Sequence, residues 1–593
     1  MAGVIENIRL RGISIEFKMV LFISVTFALA ASVLIPLIQL VIFSFRVPLE
    51  TESGQLIYGD NGRALTRTSI DAWRFALTQP GMLESLWNTF TVTVTRQLIG
   101  FPVAILFAWL IGRTDMPGGR ALEFLFWIVF FLPIVSVVQS WILLAHPSYG
   151  ILNQLLAKLP FIETGPFNIF GFWGIVWAHL IHSTIAVKVM LLTPAFRNMD
   201  ASLEDASRIS GASNMGTLFR VTLPILAPAL ATMFLITLVA GLQSVEIEIL
   251  LGLPERFFVF GSKIYNLTRI DPPLFNEATA LGVLVLIAVI PFTIWHRWIS
   301  RRRRYTTISS DYKPQPLQLR AWRWPAFTVV LSWALICTLA PVITLTMGTF
   351  MKVFGFFSVP SGAWTLDNWR QILTDPNFVL SFKNGLYLSF GAATLSVILF
   401  TILAYIIVRV QSRISDLTDI LTWVPLAMPG VILLLGWLWV FLRIPFLTPL
   451  YGTIFALVLV SALSRVTIGV QFVKSNLLQL SAELEEASTI SGAGWWYTFR
   501  RVVVPILAPL LAALWVMNFV WAMGSALVPL FLATPESRPL ALLQFEYVAA
   551  GKQEAASVVG VIVIVLTVGV AVAARFLGFR GGLSETRAIS GNK

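Results

Sequence analysis

The polar residues whose types and spacing could do chemistry fall into two groups. The first is a segment that occurs twice. Residues 204–228 read EDASRISGASNMGTLFRVTLPILAP and residues 485–509 read EEASTISGAGWWYTFRRVVVPILAP; they align without a gap at an offset of 281 residues, with 15 of 25 positions identical. Each copy opens on acids (Glu204 and Asp205; Glu485 and Glu486) that suit the positive end of a helix dipole. Asp200 and Ser481 stand at equivalent positions upstream and can each cap that helix. The small Ala206 and Ala487 leave one face open to close approach. Gly211 and Gly492 follow, as a turn with positive φ requires. Pro224 and Pro505 then suit the opening of the next helix, where a missing N–H costs nothing. The pattern predicts a short polar helix, a sharp turn and a second helix. The tandem recurrence and the lack of a large apolar face favour a docking element over an amphipathic helix lying on a membrane.

The second group lies within apolar segments. His179, His182, Ser183, Thr184 and Lys188 share one segment, and Ser464, Arg465 and Gln471 share its counterpart. Gln243, Ser244, Glu246 and Glu248 close another, with Gln139, Asn518 and Trp521 adding neutral polarity. A charge at the centre of a membrane helix costs about 2.5–3.5 kcal/mol on insertion scales, so each needs a partner or a polar cavity. The candidates for lining a solute pathway are His182, Ser183, Thr184, Gln243, Glu246, Ser464, Arg465 and Asn518. Taken singly, each has a structural alternative: Arg465 pairing with a carbonyl, Lys188 reaching to the interface. His179 and His182 share a helix face, but two ligands without a nearby cysteine or carboxylate do not make a metal site, and none is expected. No G-x-x-x-x-G-K-[ST] loop is present; Gly551-Lys552 is followed by Gln553. No Ser/His/Asp set is placed as an active site, so the chain is read as a non-enzyme.

The elements that position these residues must be membrane helices. Of 593 residues 57% are hydrophobic and 12% charged, and the mean hydropathy is +0.81, a balance no soluble core of this length can enclose. Apolar stretches near 20 residues long predict six spans in the first half (19–45, 86–112, 121–144, 173–194, 221–245, 279–298) and six in the second (326–350, 384–409, 418–442, 451–473, 502–526, 556–577). The fold class is therefore all-α, a polytopic membrane protein of about 12 helices. Its halves are 1–298 and 325–593, joined by a basic linker, 299–324, that carries RRRR at 301–304. The net charge of +12 is read as Lys and Arg on one side of the membrane rather than as a nucleic-acid surface. That side holds both termini, the linker and both repeated segments, and is cytoplasmic. The longer loops face outward. The first apolar stretch is too long for a signal peptide and is read as an uncleaved helix. The lone Cys337 excludes a disulfide framework.

The repeated segment resembles the EAA loop of binding-protein-dependent ABC importer permeases. Glu204, Ala206, Gly211, Val221, Leu223 and Pro224 match in the first copy, and Glu485, Ala487, Gly492, Val502 and Pro505 in the second. Asp205 and Glu486 replace the first alanine, and Val504 replaces leucine. The resemblance covers nearly the whole chain, as two fused permease domains of the first-type importer fold. It implies that loops at about 197–220 and 478–501 are coupling loops, with Glu204, Asp205, Ala206, Gly211, Glu485, Glu486, Ala487 and Gly492 as coupling residues. The implied partners are two copies of a cytoplasmic ABC ATPase, which would bind the ATP and Mg, a periplasmic solute-binding protein, and membrane lipid; no nucleic acid and no cofactor of this chain is implied. The implied setting is the bacterial inner membrane. The stretch 244–267 and the tandem fusion look like the ferric iron permease group, with polyamine, phosphonate or thiamine permeases as alternatives; Glu248 stands where that group usually has proline. An ion-coupled secondary transporter is the competing class. The differing tips (Asn214, Met215, Gly216 against Trp495, Trp496, Tyr497) predict unequal ATPase contacts.

Overall fold

The computed structural model describes residues 2–49, 57, 65–162, 165–199, 202–287, 316–355, 364–410 and 412–576. Among these, seven helices are long and apolar enough to cross a membrane, and three bent pairs add further spans. The Leu223–Gly241 and Phe275–Ile287 helices stand at the two remaining expected positions. The last predicted helix of the first half runs past Ile287, outside the described residues. A two-stranded antiparallel ribbon, Arg46–Pro48 with Thr66–Thr68, departs from the otherwise all-helical fold.

Three spans expected to be single helices are broken. Residues 121–144 form Gly119–Phe131 and Ile134–Ala145, bent by 97° at Leu132-Pro133. Residues 418–442 form two helices bent by 107° at Met428-Pro429. In both, the proline lacks the N–H that would continue the ladder and pushes the residue before it to extended backbone. The third, Ile454–Ser464 with Val466–Leu477, bends by 53° at Arg465. Its first-half counterpart, Gly171–Arg197, is interrupted at the same repeat position by a wide π turn, Leu180–Thr184.

Pro224 and Pro505 do not open helices as the sequence suggested. Continuous helices begin earlier, at Asn214 and Trp495, and pass through π turns at Leu218–Thr222 and Phe499–Val503 before reaching the prolines. The Leu223 and Val504 N–H groups reach back five residues, to the carbonyls of Leu218 and Phe499. That wide turn makes room for a ring an ordinary α-turn would exclude.

The halves are interlaced rather than side by side. The N-terminal helix, Ala2–Ser44, packs against the bent pair Arg413–Ala427 and Gly430–Arg443 of the second half. The first helix of the second half, Arg323–Thr349, packs in return on the bent pair of the first. Thr26 and Thr418 hydroxyls meet at 2.9 Å across the first contact. Gln139, grouped with the polar residues above, lies in a buried network between halves: its amide donates to the Gln553 carbonyl (3.0 Å) and Ser557 Oγ (3.1 Å), and its oxygen accepts from Gln544 (2.9 Å). The basic linker, 299–324, reads from the sequence as a tether between the halves. Its described end is stitched down instead: Leu317 donates to the Arg113 carbonyl and accepts from Asp115, and the Leu319 N–H reaches the Asp115 carboxylate at 2.8 Å. Residues 299–315 lie outside the described residues, as does Asp200.

Candidate functional site

At one end of the bundle each repeated segment forms the predicted short helix, Ser202–Ile209 or Glu483–Ile490. Ser481 Oγ accepts from the Glu483 N–H at 3.2 Å, close to its expected capping role. Each helix ends on its glycine, at φ +87° for Gly211 and +88° for Gly492, with open space where a Cβ would stand. Beyond it, Ser207 bonds Thr217 (3.2 Å) and Ser488 bonds Thr498 (2.9 Å), the same lock in both copies.

The first acid of each segment turns inward. Glu204 is 1% exposed and receives the Arg113 guanidinium on one oxygen and the Thr222 hydroxyl on the other. Glu485 receives Arg409 Nε at 2.7 Å and the Tyr405 hydroxyl at 2.9 Å. Each arginine ends a long membrane helix, Met82–Arg113 or Pro376–Arg409, and each also reaches the carbonyl entering its segment: Arg113 to Met199 at 3.4 Å, Arg409 to Leu480 at 2.9 Å. The repeat thus includes a partner that the sequence reading missed. The signal was present, since A-x-x-I-x-R precedes both positions (108–113 and 404–409). The loop between the third and fourth spans is shorter in the second half, which moves the arginines out of the 281-residue register. Asp205 pairs with Arg208 on the surface, while Ala206, Glu486 and Ala487 are at least partly exposed.

An apolar tip that was not expected projects from both copies. Leu203, Ile209 and Met215 are exposed in the first, and the equivalent Leu484, Ile490 and Trp496 in the second, with Ile209 89% and Ile490 87% exposed. The two copies are anchored differently. Asn214 donates to the Gln318 carbonyl of the linker at 3.1 Å. Trp495 instead packs edge-on against Phe22 of the N-terminal helix (5.3 Å) and stacks on Phe499 (5.6 Å).

Between the halves lies a cavity of about 400 Å³. Seven of the eight predicted pathway residues line it: His182, Ser183, Thr184, Gln243, Glu246, Arg465 and Asn518. Ser464 does not; its hydroxyl bonds the Ser461 carbonyl of its own helix. The break at Arg465 lets that side chain leave the helix ladder, and its guanidinium lies 4.0 Å from the centre of the Trp521 ring, not on a carbonyl. Lys188 is 1% exposed and does not reach the interface; its ammonium folds back onto the Thr184 carbonyl at 2.8 Å. Arg96, overlooked in the sequence, also enters the cavity wall, so close to Gly241 that a Cβ there would collide with its guanidinium. The acids are engaged. Glu248 accepts from Ser244 (2.9 Å) and meets His179 (2.8 Å), while Glu246 accepts from Ser525 (3.0 Å) and the Ala526 N–H of the second half.

Comparison with known proteins places this architecture. The family model for the binding-protein-dependent transport system inner membrane component matches residues 100–305 and 398–580. The chain belongs to that family, twice over, as a polytopic membrane protein with two permease domains. A Haemophilus influenzae protein named for ferric transport, FbpB 1, is 27% identical over 62% of this chain and 58% of its own length. The ferric transport system permease protein FbpB of Actinobacillus pleuropneumoniae is 25% identical over 68% of this chain and 58% of its own. A second Haemophilus influenzae protein, the Fe(3+)-transport system permease FbpB 2, is 22% identical over 81% of this chain and 87% of its own. The match thus spans under two thirds of the length of the first two relatives.

Proposed function

We propose that this chain is the transmembrane permease subunit of an ATP-driven importer, and that the solute is iron in the ferric state. The observation that carries the reading is the duplicated segment with its arginine. Each copy offers exposed apolar residues outward and a carboxylate turned inward onto an arginine. A surface that moves Ile209 or Ile490 must pull on Glu204 or Glu485, and through Arg113 or Arg409 on a membrane helix that runs to the cavity. Two ATPase copies, docking one on each segment, would in this way rock the interlaced halves and expose the cavity to each side in turn. A solute-binding protein would deliver from the opposite face. The names of the relatives support iron. The chain itself holds no phosphate loop, so hydrolysis falls to the separate subunit.

The test is reconstitution in liposomes with the ATPase and binding protein encoded beside this chain. Hydrolysis and uptake stimulated by ferric-loaded binding protein are expected. Uptake that runs on an ion gradient without the ATPase would replace this reading with a secondary transporter. Stimulation by a polyamine, a phosphonate or thiamine in place of iron would keep the importer and discard the solute.

A further inference from the structure

Three cationic side chains line the central cavity, Arg96, Lys188 and Arg465, against one carboxylate, Glu246. Glu246 accepts from Ser525 and from the Ala526 N–H at the start of the Leu527–Leu532 helix, and lies within Coulombic reach of Arg465. Glu248, outside the cavity lining, meets His179 and Ser244 and lies within Coulombic reach of Arg96. Even with both acids counted, the three cations outnumber them. The two arginines, by contrast, donate no hydrogen bond to any described residue. Arg96 is 5% exposed, and what it exposes faces the cavity. Arg465 has the Trp521 face and nothing that accepts its N–H groups. The buried Nδ1 of His182, on the same wall, is also without a partner. An arginine presents five N–H donors in a rigid fork, and here two such forks face one cavity with no protein acceptor among the described residues.

These charges also break the internal repeat. Thr184 occupies the repeat position of Arg465, and Gly469 that of Lys188. The coupling segments are duplicated with their locks, while the cations are placed once each, from different helices and both halves. A purely structural role would not need that convergence on one void.

We propose that the cavity is a transient anion-binding site, and that the solute crosses as an oxygen-ligated complex of net negative charge. This rests on the iron-importer reading and refines it: ferric iron passes together with carboxylate or similar oxyanion ligands, not as the bare cation. Guanidinium forks match carboxylate oxygens in pairs. A bare trivalent cation would meet three positive side chains in the cavity.

The experiment uses the full chain with its ATPase and binding protein in liposomes, loaded with ⁵⁵Fe and [¹⁴C]citrate as a ferric citrate probe. Both labels are expected inside, at a constant ratio. Arg96→Gln and Arg465→Gln should each slow entry of both labels about tenfold or more, the size expected for losing a charge-assisted hydrogen bond. Arg96→Lys and Arg465→Lys, which keep the charge and pack similarly, should retain part of it. Binding of ferric citrate to the chain in nanodiscs gives a second readout that needs no turnover; it should saturate in the parent and weaken by a similar factor in the glutamine variants. Entry of ⁵⁵Fe with ¹⁴C left outside overturns this inference and leaves the iron importer standing. Entry of neither label, with another solute transported instead, overturns the iron reading itself. Glutamine variants that bind and transport like the parent would show that the arginines serve packing alone, and would also overturn it.

Discussion

Replacing Arg113 with methionine should release the first repeated segment from the membrane helices. Glu204 is 1% exposed, and its charge is met by Arg113 and the Thr222 hydroxyl alone. Removing one partner of a buried pair leaves the other charge uncompensated, at about 3–5 kcal/mol. The methionine keeps most of the volume, so the loss is chiefly electrostatic. The equivalent Arg409→Met should cost less. Glu485 and Arg409 are each 16% exposed on the side chain, and the Tyr405 hydroxyl still bonds the carboxylate, so about 1.5–3 kcal/mol is expected. Amide exchange in nanodiscs reads this directly. The N–H groups of Ser210 and Ala212, bonded within the first segment, should exchange about 10²–10³ times faster in Arg113→Met, since each 1.4 kcal/mol is tenfold. Those of Ser491 and Ala493 should accelerate by about one to two decades in Arg409→Met. Pairing Arg113→Met with Glu204→Gln removes the orphaned charge and should recover part of the loss. Exchange within about threefold of the parent in Arg113→Met would refute the reasoning, because such a change is under 0.7 kcal/mol and the pair would then not hold the segment.

Gly211→Ala and Gly492→Ala should each cost about 1–2 kcal/mol locally, from the left-handed backbone alone, since neither Cβ meets an atom within 4 Å. Their effects on uptake should nevertheless differ, because Asn214 hangs on the linker while Trp495 packs on the N-terminal helix; equal loss of transport would count against distinct anchors. Gln139→Leu should lower the midpoint of unfolding in detergent without blocking insertion, as it strands partners in a buried network between the halves at about 1–3 kcal/mol per unmet group; an unmoved midpoint would argue that the network is idle. Thr26→Cys with Thr418→Cys, in a Cys337→Ser background, should form a disulfide that joins the two halves after cleavage in the linker; two separate fragments on a non-reducing gel would contradict the interlaced packing.

The membrane class and the place of the repeated segments were legible because each rests on local signals: runs of apolar length and an ungapped repeat. Bends were not. Pro133 and Pro429 sit inside stretches apolar enough to cross as one helix, and hydropathy does not register the direction of the chain. The inward turn of Glu204 and Glu485 was hidden because its partner lies on another helix, displaced in register by an unequal loop. Arg96 was passed over for a related reason: it is the lone charge in the apolar span 86–112, and nothing in the sequence brings it beside Gly241 and Arg465. Apolar exposure at Ile209 and Ile490 required knowing which face of a short helix is left uncovered.

The most direct measurement is ATP hydrolysis by the chain reconstituted with its ATPase, in the presence of ferric-loaded or empty binding protein, with both Arg113 and Arg409 intact or both replaced by methionine. Stimulation by the loaded form is expected only with the arginines in place, with hydrolysis in the double variant no longer answering to the binding protein. Full stimulation in the double variant would contradict the proposed wiring of the two repeated segments to the membrane helices.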